Sequence, residues 1–408
     1  MKPVAITGIG VIGATGAGVA AMDDAISVGR SGLGSLSLWQ SELAESCPVG
    51  EFKGDLREAT EAALSRKLNT REIKRLSRSD LLTLAAAAEA VAGSGLSRDL
   101  LSAAGAGAYL GQSVCGTFDS ETFYIETRAG RGPRNPAPLV VHEGAGSIDA
   151  LAREFNLCGP SAAYMTACSS AANAIGMAAE VLNEGSAKVM LAGGGDSLSR
   201  IAFNGFCSLQ VVSPDGPRPF DRDRQGMSVG EGAAILVLET IEHAKARGAE
   251  VLALLSGYGH SCDAYHLTAP HPEGEGASRA MGEALATAGI SKGDVGYINA
   301  HGTATLDNDR TEALAIRNTF GEAPPPVSST KRFFGHTLAA AGAIEAVVCV
   351  RALQQGLLPP NLGLREAEDK GLDLVREARQ VSGLSHVLSN SFGFGGNNAA
   401  LVFSAVRG

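Results

Sequence analysis

The sequence predicts an α/β fold of two similar halves packed as one body, and three observations carry that reading. Short runs of β-branched residues alternate with alanine-rich helical stretches along the whole chain, the pattern of buried sheets covered by helices. Glycine is abundant, 52 of 408 residues, while aromatic residues make up only 5%, which suits tight turns and close packing of helix on sheet. After a charged stretch at 242–250 the strand-then-helix order starts afresh, with no proline- or serine-rich linker. The halves are therefore set at residues 1–250 and 251–408, together one domain.

Taken in order, residues 4–7 form the first predicted strand, stopped by Gly8 and Gly10 and too short for a signal peptide. Residues 40–78 are more charged than the rest and predict a surface excursion. A helix follows over 80–92, capped by Gly93, then a strand over 106–110. Residues 120–147 have little periodicity and several Gly and Pro, so an irregular cap or interface segment is expected. Further strands are predicted at 189–192 and 234–238, and in the second half at 251–258, 297–300, 387–390 and 400–403. Helices are expected over 278–288, capped by Gly289, and over the alanine-rich 337–354.

Composition excludes several classes. Acidic residues outnumber basic ones by 43 to 34, a net charge of −9, which argues against nucleic acid or an anionic membrane surface as partner. The apolar runs, such as 233–238, are strand-length, below the roughly 18 residues of a membrane span. The seven cysteines are scattered, odd in number and never spaced as CxxC, so neither a disulfide framework nor a zinc site is implied. A cytoplasmic setting is expected.

The strongest chemical feature is Thr166-Ala167-Cys168-Ser169-Ser170, between a strand-like stretch and a helix carrying Ala171, Ile175, Ala178 and Leu182 at 3–4 residue spacing. Cys168 therefore sits at a helix N-terminus, where the dipole favours a thiolate and backbone N–H groups can hold an oxyanion. A thiol of pKa about 8.5 is only about 3% ionised at pH 7, and the dipole lowers it by about 1.5 units at most, so a nearby base or hydrogen-bond partner is expected. From this segment alone a reactive thiol and an inert buried cysteine are equally compatible. The histidines tip the balance. His301, in His301-Gly302-Thr303-Ala304-Thr305, follows an apolar strand at the end where α/β sites gather, and His336 lies in a glycine-flanked turn before an alanine-rich helix. Two such histidines with a cysteine elbow point to thioester chemistry.

These residues resemble the β-ketoacyl-ACP synthases of the elongating, Cys-His-His class, nearest to ketoacyl-ACP synthase II, over nearly the whole chain. The resemblance rests on the Cys168 elbow; on His301–Thr305 with Asn308, Asp309 and Glu312; on Ser329-Thr330-Lys331 through Gly335-His336; on Pro219-Phe220-Asp221 leading to Gly230-Glu231-Gly232; and on Asn390-Ser391-Phe392-Gly393-Phe394-Gly395-Gly396. It implies a thiolase-like fold, two βαβαβαββ halves layered α-β-α-β-α, and a decarboxylative condensation with malonyl-ACP. Cys168 would carry the acyl group and His301 and His336 would hydrogen-bond the malonyl thioester carbonyl. Lys331 and Glu312 would form a pair supporting the histidines, and Phe394 would supply an oxyanion N–H and a gate. Thr303, Thr305, Phe392 and Val114 would contact substrate. No cofactor is implied, because the phosphopantetheine arm belongs to the carrier protein.

By the same resemblance, Asn299, Glu345, Ser389 and Asn390 match residues that hold a monovalent cation in some relatives, where a hydrogen-bond network would serve as well. Docking of an acidic carrier protein needs a basic patch, and Arg71, Lys74, Arg75 and Arg78 would share one helical face, with Arg134 in a second cluster beside Arg128 and Arg131. A homodimer, or a heterodimer with a chain-length-factor-like subunit, is expected from the family. Only four residues separate Ser213 from Arg218, Val114-Cys115 stand where relatives carry Ile-Gly, and Ala339 and Asn397 replace a glycine and a threonine. These departures leave fatty-acid and secondary-metabolite (aryl polyene or polyketide) pathways both open. A thiolase would need a second cysteine near the C-terminus, and a CoA-primed synthase an Asn where His336 stands.

Overall fold

The computed structural model describes residues 1–43, 46–132, 136–140 and 142–406. The first half runs β1 (Val4–Gly13), α1 (Arg78–Ser94), β2 (Gly107–Gly111), α2 (Ala145–Phe155), β3 (Ser161–Tyr164), α3 (Ser170–Asn183), β4 (Val189–Asp196) and β5 (Gly232–Glu239). The second repeats it as β6 (Ala253–Cys262), α4 (Glu275–Ala288), β7 (Val295–Asn299), α5 (Leu306–Phe320), β8 (Val327–Ser328), α6 (Ala341–Gln355), β9 (His386–Gly393) and β10 (Asn397–Ser404). Strand order in the halves is β3-β2-β4-β5-β1 and β8-β7-β9-β10-β6, with identical directions: β2 runs parallel to both neighbours, as does β7, and the remaining pairs are antiparallel. The halves join where Val4–Ile6 of β1 pair antiparallel with Ala253–Leu255 of β6.

Side-chain alternation builds the layers. Met190 and Ala192 of β4 and Leu236 and Leu238 of β5 face a central core with α3 and α6, whereas Val189, Leu191, Ile235 and Val237 face the outer helices α1 and α2. The second half copies this: Val387, Leu401 and Phe403 turn inward, and Leu388, Ala400 and Val402 turn outward to α4 and α5. Both faces of each strand are covered, which is why these strands read as near-continuous apolar runs. The result is the expected α-β-α-β-α layering.

Several boundaries differ from expectation. Gly8 and Gly10 do not end β1, which continues to Gly13. They lie beneath α1, where a Cβ would stand 2.1 Å from Ala90 O and 2.0 Å from Ala86 O. The α1 cap is Gly95, left-handed at φ 70°, while Gly93 stays helical. Within the segment expected to be irregular, Thr117–Arg128 is helical, with none of its residues buried; no buried stripe marks it in sequence. Part of the charged excursion enters the core through Val49, Phe52, Leu56 and Leu68. Among the described residues one stretch, Leu338–Gln355, has the length and mean hydropathy (1.3) of a membrane span, and 78% of it is buried between the two half-sheets as α6 and the turn before it.

The contact of β1 with α1 gives a direct test. Gly8→Ala is expected to cost about 1–3 kcal/mol through overpacking against backbone and to lower the thermal unfolding midpoint by several degrees. A midpoint equal to that of the unsubstituted protein, read by scanning calorimetry, would contradict this packing.

Candidate active site

Cys168 lies in a single turn of 3-10 helix, Ala167–Ser169, that opens directly into α3. Ala167 adopts φ 53°, a strained conformation for a non-glycine residue, which turns the chain sharply from β3 into the helix. The thiol is 7% exposed. Its sulfur accepts the backbone N–H of Phe394 and stands 3.0 Å from His336 Nε2. Burial pushes the thiol up, to about 11, against the pull of the Lys331 ammonium and the Phe394 N–H. The resting group is therefore a neutral thiol, and His336 is the hydrogen-bond partner beside it.

His301 follows β7, and His336 sits between the short helix Lys331–Phe334 and the 3-10 turn Leu338–Ala340 that leads into α6. Their rings are 5.3 Å apart, edge to face at 81°. Ligand atoms of Cys168, His301 and His336 all lie within 4.8 Å of one another. Burial holds both imidazoles well below the usual histidine range, assisted by the Lys331 charge. They are neutral at physiological pH, and among the described residues neither Nδ1 has a hydrogen-bond partner that would fix its tautomer.

The buried charges are arranged differently from the expected Lys331–Glu312 pair. Lys331 Nζ forms its ion pair with Glu345, one turn into α6, and donates to His301 O at 2.9 Å. Glu312 accepts the N–H groups of His301 (2.8 Å) and Gly302 (2.7 Å) and the side chain of Asn390 (3.1 Å). Both carboxylates support the His301 turn, one directly and one through Lys331. Burial raises each, to about 7. A surface salt bridge is excluded, since Lys331 is 2% exposed. Asn299 and Ser389 meet each other at 3.5 Å, and Glu345 Oε2 and Asn390 Oδ1 are buried oxygens with no hydrogen-bond partner among the described residues.

Cys168 and the two histidines open into a cavity of about 380 Å³. Thr303 and Thr305 line it with their hydroxyls 2.9 Å apart, as do Phe392, 6.0 Å from the His301 ring, and Phe394. Val114 does not line this cavity; it packs beside Leu338, Leu198 and Phe203 in an adjoining apolar cluster. Phe394 meets Phe206 with ring centroids 5.9 Å apart, tilted at 45°, a contact that no motif announced because Phe206 comes from the unremarkable helix Arg200–Ser208. Arg224, also missed, holds the carbonyls of Thr305 and Leu306 at 3.1 and 2.8 Å and pairs with Asp309 at 3.5 Å, fixing the threonine turn.

The basic run does not form one helical face. The short helix Thr70–Ile73 ends at Lys74, and α1 begins at Arg78 after its own cap at Ser77. Arg71, Lys74 and Arg75 are exposed. Arg78 turns inward, donating to the fully buried Glu231 at 2.8 Å. Arg134 lies outside the described residues.

The comparisons with known proteins agree with this geometry. Residues 1–244 match the beta-ketoacyl synthase N-terminal domain and residues 252–365 the beta-ketoacyl synthase C-terminal domain. The chain is 36% identical to 3-oxoacyl-[acyl-carrier-protein] synthase 2 of Staphylococcus aureus (strain COL), over 98% of each sequence. Among solved structures it resembles the ishigamide ketosynthase/chain length factor, with a TM-score of 0.92 and 32% identity over 100% of both chains. It also resembles the ketosynthase ApeO in complex with its chain length factor ApeC from Xenorhabdus doucetiae, with a TM-score of 0.85 and 32% identity over 99% and 98% of the chains. A cysteine elbow, two neutral histidines and matching domains over both halves make the chain a member of the beta-ketoacyl synthase family.

Proposed function

We propose that the chain is an acyltransferase that condenses an acyl group with malonyl-ACP, releasing CO₂ and a 3-oxoacyl-ACP. The observation that carries the reading is the placement of one thiol and two neutral imidazoles within 4.8 Å at the cavity floor. Cys168 Sγ attacks the carbonyl of an acyl-ACP thioester, its proton passing through His336 to the departing pantetheine thiolate. The oxyanion faces the N–H groups of Cys168 and Phe394. A malonyl thioester then places its carbonyl between His301 and His336, whose N–H groups stabilise the enolate left when CO₂ departs. The enolate carbon attacks the acyl–Cys168 carbonyl, the carbon–sulfur bond to Cys168 breaks, and the expelled thiolate takes a proton from solvent water. Neutral histidines suit this task, because an N–H donor is needed in place of a proton-abstracting base. Loss of CO₂ drives the step.

Several further roles belong to the same proposal. The hydroxyls of Thr303 and Thr305 receive the pantetheine arm, and the exposed Arg71, Lys74 and Arg75 dock the acidic carrier protein. The orphan oxygens Glu345 Oε2 and Asn390 Oδ1 are hard donors of the kind a monovalent cation takes. A dimer is supported by β3, an edge strand with alternating exposed residues, and by the exposed Met165 that follows it. Two relatives are solved with a chain length factor by their titles, which supports a second reading in which that surface receives a different subunit of a secondary-metabolite pathway. Sedimentation of the chain alone separates the two: a stable dimer supports self-association, and a monomer that dimerises only with a related subunit supports the second.

Intact mass spectrometry after mixing with a panel of acyl-ACP thioesters is expected to show one acyl group gained, and none on Cys168→Ala; loading of that variant would remove the nucleophile assignment. Because burial holds the thiol near 11, its thiolate fraction grows about tenfold per pH unit, so the iodoacetamide alkylation rate should still be climbing between pH 7 and 9. A rate already flat at pH 7 would mean a pre-ionised thiolate. Reversing charge in Lys74→Glu/Arg75→Glu is expected to raise the apparent KM for acyl-ACP about tenfold or more with little change in kcat. An unaltered KM would discard that docking face.

A further inference from the structure

Asp196, the last residue of β4, has no place in the chemistry above, yet it is one of the most heavily bonded side chains in the molecule. It is 0% exposed. Oδ1 accepts three consecutive backbone N–H groups, those of Ser113 (3.1 Å), Val114 (3.0 Å) and Cys115 (3.1 Å). Oδ2 accepts the Ser113 hydroxyl (2.6 Å) and the N–H of Ala339 (3.0 Å). Four amides converging on one carboxylate form a built anion hole. Cys115 adopts φ 47° to bring its amide into line.

The internal duplication says what this hole is. The 3-10 turn Ala167–Ser169 before α3 and the turn Leu338–Ala340 before α6 are counterparts: each opens on a strained residue, Ala167 at φ 53° and Leu338 at φ 54°, and each passes into its helix at φ −54°, ψ −50°. Ala339 therefore stands in the second half where Cys168 stands in the first. The strands that end against these turns are counterparts too, both eight residues long: β9 ends at Gly393 against the Cys168 turn, and β4 ends at Asp196 against the Ala339 turn. A Cβ on Gly393 would lie 3.1 Å from Cys168 N, so its absence leaves that amide room for a substrate oxygen. At the opposite turn the equivalent room is filled by the Asp196 carboxylate.

We propose that Asp196 is a positioning residue of the reaction, an internal anion that plugs the second elbow and ties the Val114 loop to the turn carrying His336. Val114 packs in one apolar cluster with Leu338, two residues beyond His336. Through Asp196 and Ala339, the loop carrying Val114 thus bears on the segment that sets the His336 imidazole over Cys168. The proposal rests on the condensing function proposed above and names one part of its coupling.

The test is Asp196→Asn, assayed separately for acyl loading of Cys168 and for malonyl-ACP decarboxylation. The asparagine oxygen keeps the three loop amides, while its NH₂ group faces the Ala339 N–H and removes that bond. Loading is expected to stay within about threefold and decarboxylation to fall about tenfold or more, the size of a lost hydrogen bond to a charged group. The charges acting on the thiol are Lys331, Asp196 and Glu345, and Asp196 pushes it up. The Cys168 alkylation profile should therefore move to lower pH, which a packing defect alone would not cause. An equal loss in both half-reactions, no loss in either, or an unmoved alkylation profile overturns the proposal. If the asparagine variant does not fold, Ser113→Ala removes one donor from the same oxygen; its decarboxylation-to-loading ratio should fall about threefold, and an unchanged ratio overturns it equally. Wild-type protein that neither loads nor decarboxylates would instead sink the condensing function itself.

Discussion

The crossing of α3 and α6 between the two half-sheets is the constraint on which the rest depends. It is made of small residues: a Cβ on Gly342 of α6 would stand 3.0 Å from Ala172 N and 3.1 Å from the Ala172 Cβ of α3. Larger side chains here would part the helices. Because Cys168 and His336 sit just ahead of the two helix starts, that close approach is what brings sulfur and imidazole to 3.0 Å. A nucleophile from one half and a base from the other meet only because the backbones do.

Electrostatics then decides what the meeting can do. The site buries a thiol, two imidazoles, an ammonium and two carboxylates in a space that disfavours every net charge. The Lys331–Glu345 pair satisfies most of its own charge while anchoring the His301 carbonyl, and Glu312 spends its oxygens on backbone amides. What remains for substrate is neutral: an S–H and two imidazoles. Such a set binds an uncharged thioester carbonyl and strengthens its grip as that oxygen becomes negative, which is the differential binding that lowers a barrier.

Duplication supplied the frame, and divergence at a few positions supplied the chemistry. The two halves keep strand order, strand direction and the strained turn before the central helix. They differ where the strand ends: Gly393 leaves one elbow open, Asp196 closes the other, and Cys168 faces Ala339 across the crossing. One reactive centre results from a scaffold with two equivalent places for it.

Sequence by itself determined the local features. Short continuous apolar runs placed the core strands, because each has both faces covered and is apolar throughout. A strand-to-helix elbow located Cys168 and glycine-flanked turns located His301 and His336, since turns and helix starts leave a compositional mark within a few residues. It misjudged what depends on distant neighbours. Gly8 and Gly10 looked like strand breakers until α1 lay on them, and Arg78 looked like a surface charge until Glu231, 153 residues away, received it. The partner of Lys331, the contact of Phe206 with Phe394 and the hole around Asp196 belong to the same class. A side chain's type is written in the chain, but which buried group satisfies it is set by packing between segments far apart, and that only the tertiary structure decided.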